Sequence, residues 1–196
     1  LGDLINAQGN YPHAYQTLQA EPAVAHHDTL FITPGNHDIY FNQWTEYRNY
    51  FKTSAYWFDT RNEANGQLLD LFICLDSAEG TLGTEQMKWL RNLLETKQKE
   101  GYRHIIVFTH THPFKQDNSQ GHTSNYAMEE TYELTYTLSK YGVDMYWCGH
   151  DHHREITHFG NTEYIIVDTC RDPEEKAFYM LVDMGKQIHY QFVPLN

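Results

Sequence analysis

Three apolar runs in this chain stop abruptly on side chains suited to holding metals or moving protons. Leu30-Phe31-Ile32 leads through Thr33-Pro34-Gly35 into Asn36-His37-Asp38, and Ile105 to Phe108 leads into His110-Thr111-His112. Val143 to Cys148 leads into His150-Asp151-His152-His153. A plain turn needs only Gly and Pro, so polar clusters repeated at strand ends are more than punctuation. Strands alternating with helical patterns specify a mostly parallel sheet, whose strand carboxyl ends lie along one edge. Leu1-Gly2-Asp3 reads as the end of a further strand reaching that edge.

Strands are predicted over 29–33, 68–76, 103–109, 143–148, 163–168, 177–184 and 187–194. The clearest helix spans 84–99, with Met87, Leu90 and Leu94 as its apolar stripe and Thr84 as its N-cap. A second is predicted over about 39–51, where Tyr40, Trp44, Tyr47 and Phe51 form an aromatic face read as core packing. A third spans about 127–141, and residues 115–125, rich in polar residues and including Gly121 and His122, read as an exposed loop. After residue 150 only strands follow, which predicts terminal hairpins on an α/β domain. No repeat or linker divides the chain, so residues 1–196 are read as one domain.

The formal net charge of −12 argues against a passive grip on a nucleic-acid backbone. It leaves room for a phosphate substrate where bound metal supplies the positive charge. Cys74, Cys148 and Cys170 lie in or beside apolar runs without metal-ligand spacing and read as buried free thiols. No stretch reaches the ~20 apolar residues of a membrane span. Compartment and oligomeric state are left open.

Imidazole suits first-row metals, and Asp adds charge and can bridge two ions. His150 and His152 alternate, so an extended backbone puts both on one side, and His110 and His112 share that spacing. Each group alone has an ordinary reading as a polar turn. The weight lies in their joint placement.

Gly2-Asp3, Gly35-Asn36-His37-Asp38, His110 after its apolar run and Gly149-His150-x-His152 together resemble the calcineurin-like metallophosphoesterases, in order and in approximate spacing. The segment Gly80–Leu94 is similar to one that many members carry, and "CGHDHH" resembles the purple acid phosphatase branch. The likeness covers about residues 1–155. It implies a four-layer α/β/β/α sandwich of two mixed sheets flanked by helices, and hydrolysis of small phosphate esters at two ions of the Mn, Fe or Zn class.

The resemblance also implies roles. Asp3 bridges the two ions; Asn36, His110 and His150 complete one metal site; His152 serves the other. His37 faces the phosphate and protonates the leaving group, with Asn36 beside it in substrate binding, and Asp38 holds the His37 ring. The family's first motif, Asp-x-His, normally precedes the Gly-Asp pair and has no counterpart among these residues. The expectation is therefore a piece of a longer enzyme that lacks the first strand and holds at most one ion tightly. Alternatives are a non-catalytic scaffold, a one-metal short form and a nuclease of the same superfamily.

Overall fold

The computed structural model describes residues 1–6, 9–20, 30–114, 126–167 and 178–194. The predicted loop 115–125 with His122, and Cys170, lie outside the described residues. Helices α1 (Tyr11–Ala20), α2 (Asn36–Ile39) and α3 (Trp44–Phe51) come first. Strands β1 (Tyr56–Arg61) and β2 (Leu68–Cys74), helix α4 (Gly83–Lys97), strand β3 (His104–Phe108) and helix α5 (Met128–Lys140) follow. The chain then runs through β4 (Met145–Cys148), β5 (Glu155–Phe159), β6 (Thr162–Ile166), β7 (Phe178–Met184) and β8 (Ile188–Pro194).

Six strands form one sheet in the order β1-β2-β3-β4-β6-β5. Its interior, β2-β3-β4-β6, is parallel, and β1 and β5 close the edges antiparallel. The continuous apolar run of β3 is buried at all five positions, as a central strand covered on both faces requires. On one face, Met87, Leu90 and Leu94 of α4 and Leu134 and Leu138 of α5 pack against Leu71, Ile73, Ile105 and Val107. On the other, Ile106, Met145 and Ile165 meet Met180, Met184, Ile188 and Phe192 of the β7–β8 hairpin. The Tyr190 hydroxyl, on the same hairpin, donates to Glu163 of β6.

The mixed sheet with flanking helices and the terminal hairpins agree with the expected α/β architecture. The second sheet differs: among the described residues it is a two-stranded antiparallel pair rather than a mixed sheet.

Other elements depart from the sequence prediction for identifiable reasons. Residues 30–33 form no ladder. Both edges of β2 are taken by β1 and β3, so this run is held by side chains instead. Thr33 Oγ1 donates to Leu75 O at 3.2 Å and the Tyr56 hydroxyl to Ile32 O at 2.8 Å. The helix predicted over 39–51 breaks into α2, a 3-10 turn over Tyr40–Asn42 and α3. That break shifts the phase of the aromatic stripe, leaving Tyr47 fully buried while Tyr40 and Trp44 stay exposed.

Thr84 is not the N-cap of α4, which already begins at Gly83. The amides of Leu82 and Gly83 are capped from another helix, by Glu130 Oε1 at 2.9 and 2.7 Å. Sequence reading also missed α1, β1 and β5. The two strands lie at sheet edges, where burial patterning is weak, and α1 fully buries one side chain, Tyr11, in a small cluster with Ile5 and Tyr47, with Ala14 packed partly against it.

Candidate metal centre

The parallel register of β2, β3 and β4 brings the segments after them to one sheet edge. Thr109-His110 leaves β3 and Gly149-His150 leaves β4, and Gly149 N donates to His110 O at 2.9 Å, fastening the two turns. Ser77, after β2 and fully buried, ties the same place from below. Its Oγ accepts from His110 N at 3.2 Å and Thr111 N at 2.8 Å. It in turn donates to Thr109 Oγ1 at 2.6 Å, which donates onward to Leu75 O at 2.8 Å. Sequence reading passed over Ser77. Its signal was a hydroxyl just past an apolar run at the same edge as the histidines.

The N-terminal residues approach closely because glycine permits it. Gly2 has φ +85°, and a Cβ there would lie 2.4 Å from His110 Nδ1. A Cβ on Gly35 would lie 2.2 Å from Asp3 Oδ1. Asp3 itself sits at φ +57°, and His150 and His152 at +70° and +52°. Left-handed backbone at three non-glycine residues of one region is the kind of strain that collects at functional sites.

Four expected residues come together. Ligand-capable atoms of Asp3, His110 and His150 all lie within 4.8 Å of one another. Asn36 Oδ1 lies 2.9 Å from His110 Nε2 and 3.1 Å from His150 Nδ1, and those two ring nitrogens are 3.0 Å apart. Asp3 Oδ2 is 3.5 Å from His110 Nε2. His110 Nδ1 is 2.8 Å from the carbonyl of Leu1, which can only accept, so the ring proton sits on Nδ1. Burial pushes the pKa of His110 down, against the pull of the Asp3 carboxylate, and favours the neutral ring. The Nε2 lone pair therefore faces the oxygens of Asn36 and Asp3. Converging lone pairs repel unless a proton or a cation lies among them, and the oxygen and imidazole donors here are of the kind that fits a metal ion.

His152 falls outside this set, although it lies near enough to His110 for a charge on it to oppose one there. His37 is half-buried; its backbone N–H donates to Asp3 Oδ1 at 2.9 Å, and its ring packs 5.3 Å from that of Tyr40. The Asp38 side chain does not meet that ring. Its two oxygens accept from Ile5 N at 3.1 Å and Gly35 N at 2.8 Å, and the Tyr11 hydroxyl donates to its carbonyl. Burial pushes the Asp38 carboxyl up to about 6, against those amide bonds. Asp38 thus anchors backbone, joining the Asp3 segment to the turn that carries Asn36 and His37. His112 is buried with its Nδ1 3.3 Å from Phe114 O, and burial pushes its pKa down to about 4. His153, read from sequence as surface, is partly covered and pairs with Glu155 at 3.2 Å.

GAP50, the anchor in the inner membrane complex of Plasmodium, superposes with a TM-score of 0.52 at 18% identity, over 70% of this chain. This chain spans about half of GAP50, covering 48% of its length. TT1561 of Thermus thermophilus gives a TM-score of 0.52 at 13% identity, over 97% of this chain and 83% of its own. Purple acid phosphatase PPD1 of yellow lupin seeds overlaps more loosely, with a TM-score of 0.48 at 15% identity, over 84% of this chain and 32% of its own. The first two are likenesses of fold. No curated protein matches the chain. A family model described as calcineurin-like phosphoesterase matches residues 1–154, a span that holds every residue of the cluster. The chain belongs to the calcineurin-like phosphoesterase family.

Proposed function

We propose that this chain hydrolyses small phosphate esters at a metal centre held by Asp3, Asn36, His110 and His150, with His37 as general acid. One observation carries the reading: ligand-capable atoms from four separate segments converge on one point. A bound divalent ion supplies Lewis-acid activation of water and neutralises charge on the phosphoryl oxygens.

The chain's own residues position and protonate. Asn36 and His37 share one helical turn, so the metal-facing amide and the proton donor are held a residue apart. Asp3 Oδ1 accepts the His37 amide and fixes the start of that turn against the cluster. His37, partly exposed, gives its proton to the departing alkoxide. The acidic balance of the chain, net −12, disfavours a nucleic-acid substrate and supports a small ester. No helix among the described residues is long and apolar enough to cross a membrane.

The test is hydrolysis of p-nitrophenyl phosphate and bis-p-nitrophenyl phosphate by residues 1–196 with manganese or zinc. Turnover should exceed that of a His110→Ala/His150→Ala control; equal rates would favour a non-catalytic scaffold. His37→Ala should slow an alkyl ester far more than a nitrophenyl ester, whose leaving group scarcely needs a proton. Equal losses on both esters would assign His37 to binding. The converging donors make one site, so elemental analysis should give one ion per chain, and two would contradict that count.

A further inference from the structure

The amide of Asn36 has two ends, and the metal centre uses only one. Its Oδ1 points at His110 Nε2 and His150 Nδ1. Its Nδ2 carries two protons inside a residue that is only 8% exposed, so they need an acceptor. The Tyr40 hydroxyl provides one, with Asn36 Nδ2 donating to Tyr40 Oη at 2.8 Å. Were the amide turned over, Nδ2 would push protons into the space where a cation must sit, and binding there would be lost. The two orientations have nearly the same shape, so packing alone does not choose between them.

We infer that Tyr40 is a positioning residue of the metal centre: its hydroxyl holds the Asn36 amide with the carbonyl oxygen toward the ion. This rests on the metal centre of the preceding reading and assigns it a residue outside the ligand set. The local geometry supports the assignment. Asn36 and Tyr40 are four apart and His37 and Tyr40 three apart, so Tyr40, just past α2, sits within reach of both. The Tyr40 ring packs against the His37 ring at 5.3 Å, so one residue braces both the ligand amide and the proton donor. Groups that orient a ligand from outside the coordination sphere typically matter by ~10–100-fold in metal affinity.

The experiment is calorimetric titration of residues 1–196 with manganese alone, without substrate. Tyr40→Phe keeps the ring against His37 and removes the acceptor, so manganese affinity should fall about 10-fold. Asn36→Asp keeps a ligand oxygen but has no amide protons to hold. There the Tyr40 hydroxyl can still donate to the free carboxylate oxygen, but no amide remains to turn over, so Tyr40→Phe should cost clearly less than it does beside Asn36. Unchanged affinity in Tyr40→Phe overturns the inference. So does an equal loss with and without Asn36→Asp, because a general structural defect would carry into both backgrounds. In metal-free protein, the side-chain amide resonances of Asn36 should shift in Tyr40→Phe, and an unmoved signal counts against the contact. If the wild-type chain binds no manganese, the metal centre itself fails, an outcome distinct from equal binding by wild type and variant.

Discussion

Gly35 shows how little room the centre leaves. Its φ of −108° suits any residue, so the constraint is contact and not backbone conformation. An added Cβ would meet Asp3 Oδ1 at 2.2 Å and Asp3 N at 2.3 Å. Gly35→Ala must therefore displace Asp3, and manganese binding by calorimetry should fall below detection while the circular dichroism spectrum is kept. Asp38 governs the same junction by another means. Fully buried, it accepts the amides of Gly35 and Ile5, and Asp38→Ala leaves two buried N–H groups without partners. At ~1–3 kcal/mol for each unsatisfied group, urea unfolding should show a loss of about 2–6 kcal/mol. A loss under ~0.5 kcal/mol would mean that water replaces the carboxylate and that the anchoring role is wrong.

Helix α4 holds its N-terminus through α5. Glu130 on α5 accepts from Leu82 N, Gly83 N and the Thr81 hydroxyl, placing a carboxylate at the positive end of the α4 dipole. Sequence pattern suggested Thr84 as a local cap, and the tertiary fold supplies a remote one. Glu130→Ala should lower stability by ~1–2 kcal/mol, the usual worth of a lost cap. Glu130→Gln retains an acceptor oxygen and should lose less, as melting temperatures of the two variants would show. The Arg91–Glu133 pair, also between these helices, lies on the surface and contributes little by comparison.

Across the whole molecule, burial holds protons on many phenols. Desolvation pushes Tyr126, Tyr146 and Tyr164 upward in the core, and pushes Tyr190, bonded to Glu163, up to about 12. Cys74 is likewise pushed up to about 12 by burial. The folded state holds these protons more tightly than the unfolded chain, whose tyrosines titrate near 10. The tyrosines' stabilising contribution is thus complete below about pH 10 and that of Cys74 below about pH 9, and both decline as pH rises through 12 and beyond. Absorbance at 295 nm should show the buried tyrosines ionising in one cooperative step with unfolding. A single smooth titration of all of them would contradict the buried network.

Much of the candidate metal centre was legible without coordinates. Polar groups behind apolar runs marked the edge, because a parallel sheet must deliver its strand ends there, and the resemblance to the family singled out Asp3, Asn36, His110 and His150 among them. The interior strands and the helices packed on them were also readable, since burial on a periodic face leaves a pattern in the chain. The edge strands β1 and β5, half solvated, left none. Contacts between distant segments were beyond the chain's own pattern: Asp38 turning to backbone amides, Glu130 capping α4, Ser77 beneath His110. Tyr40 is the local exception, four residues from Asn36, yet its use depended on which way the amide faced. A short polar side chain has many partners within reach, and the choice among them falls to whichever donors and acceptors folding leaves unpaired nearby.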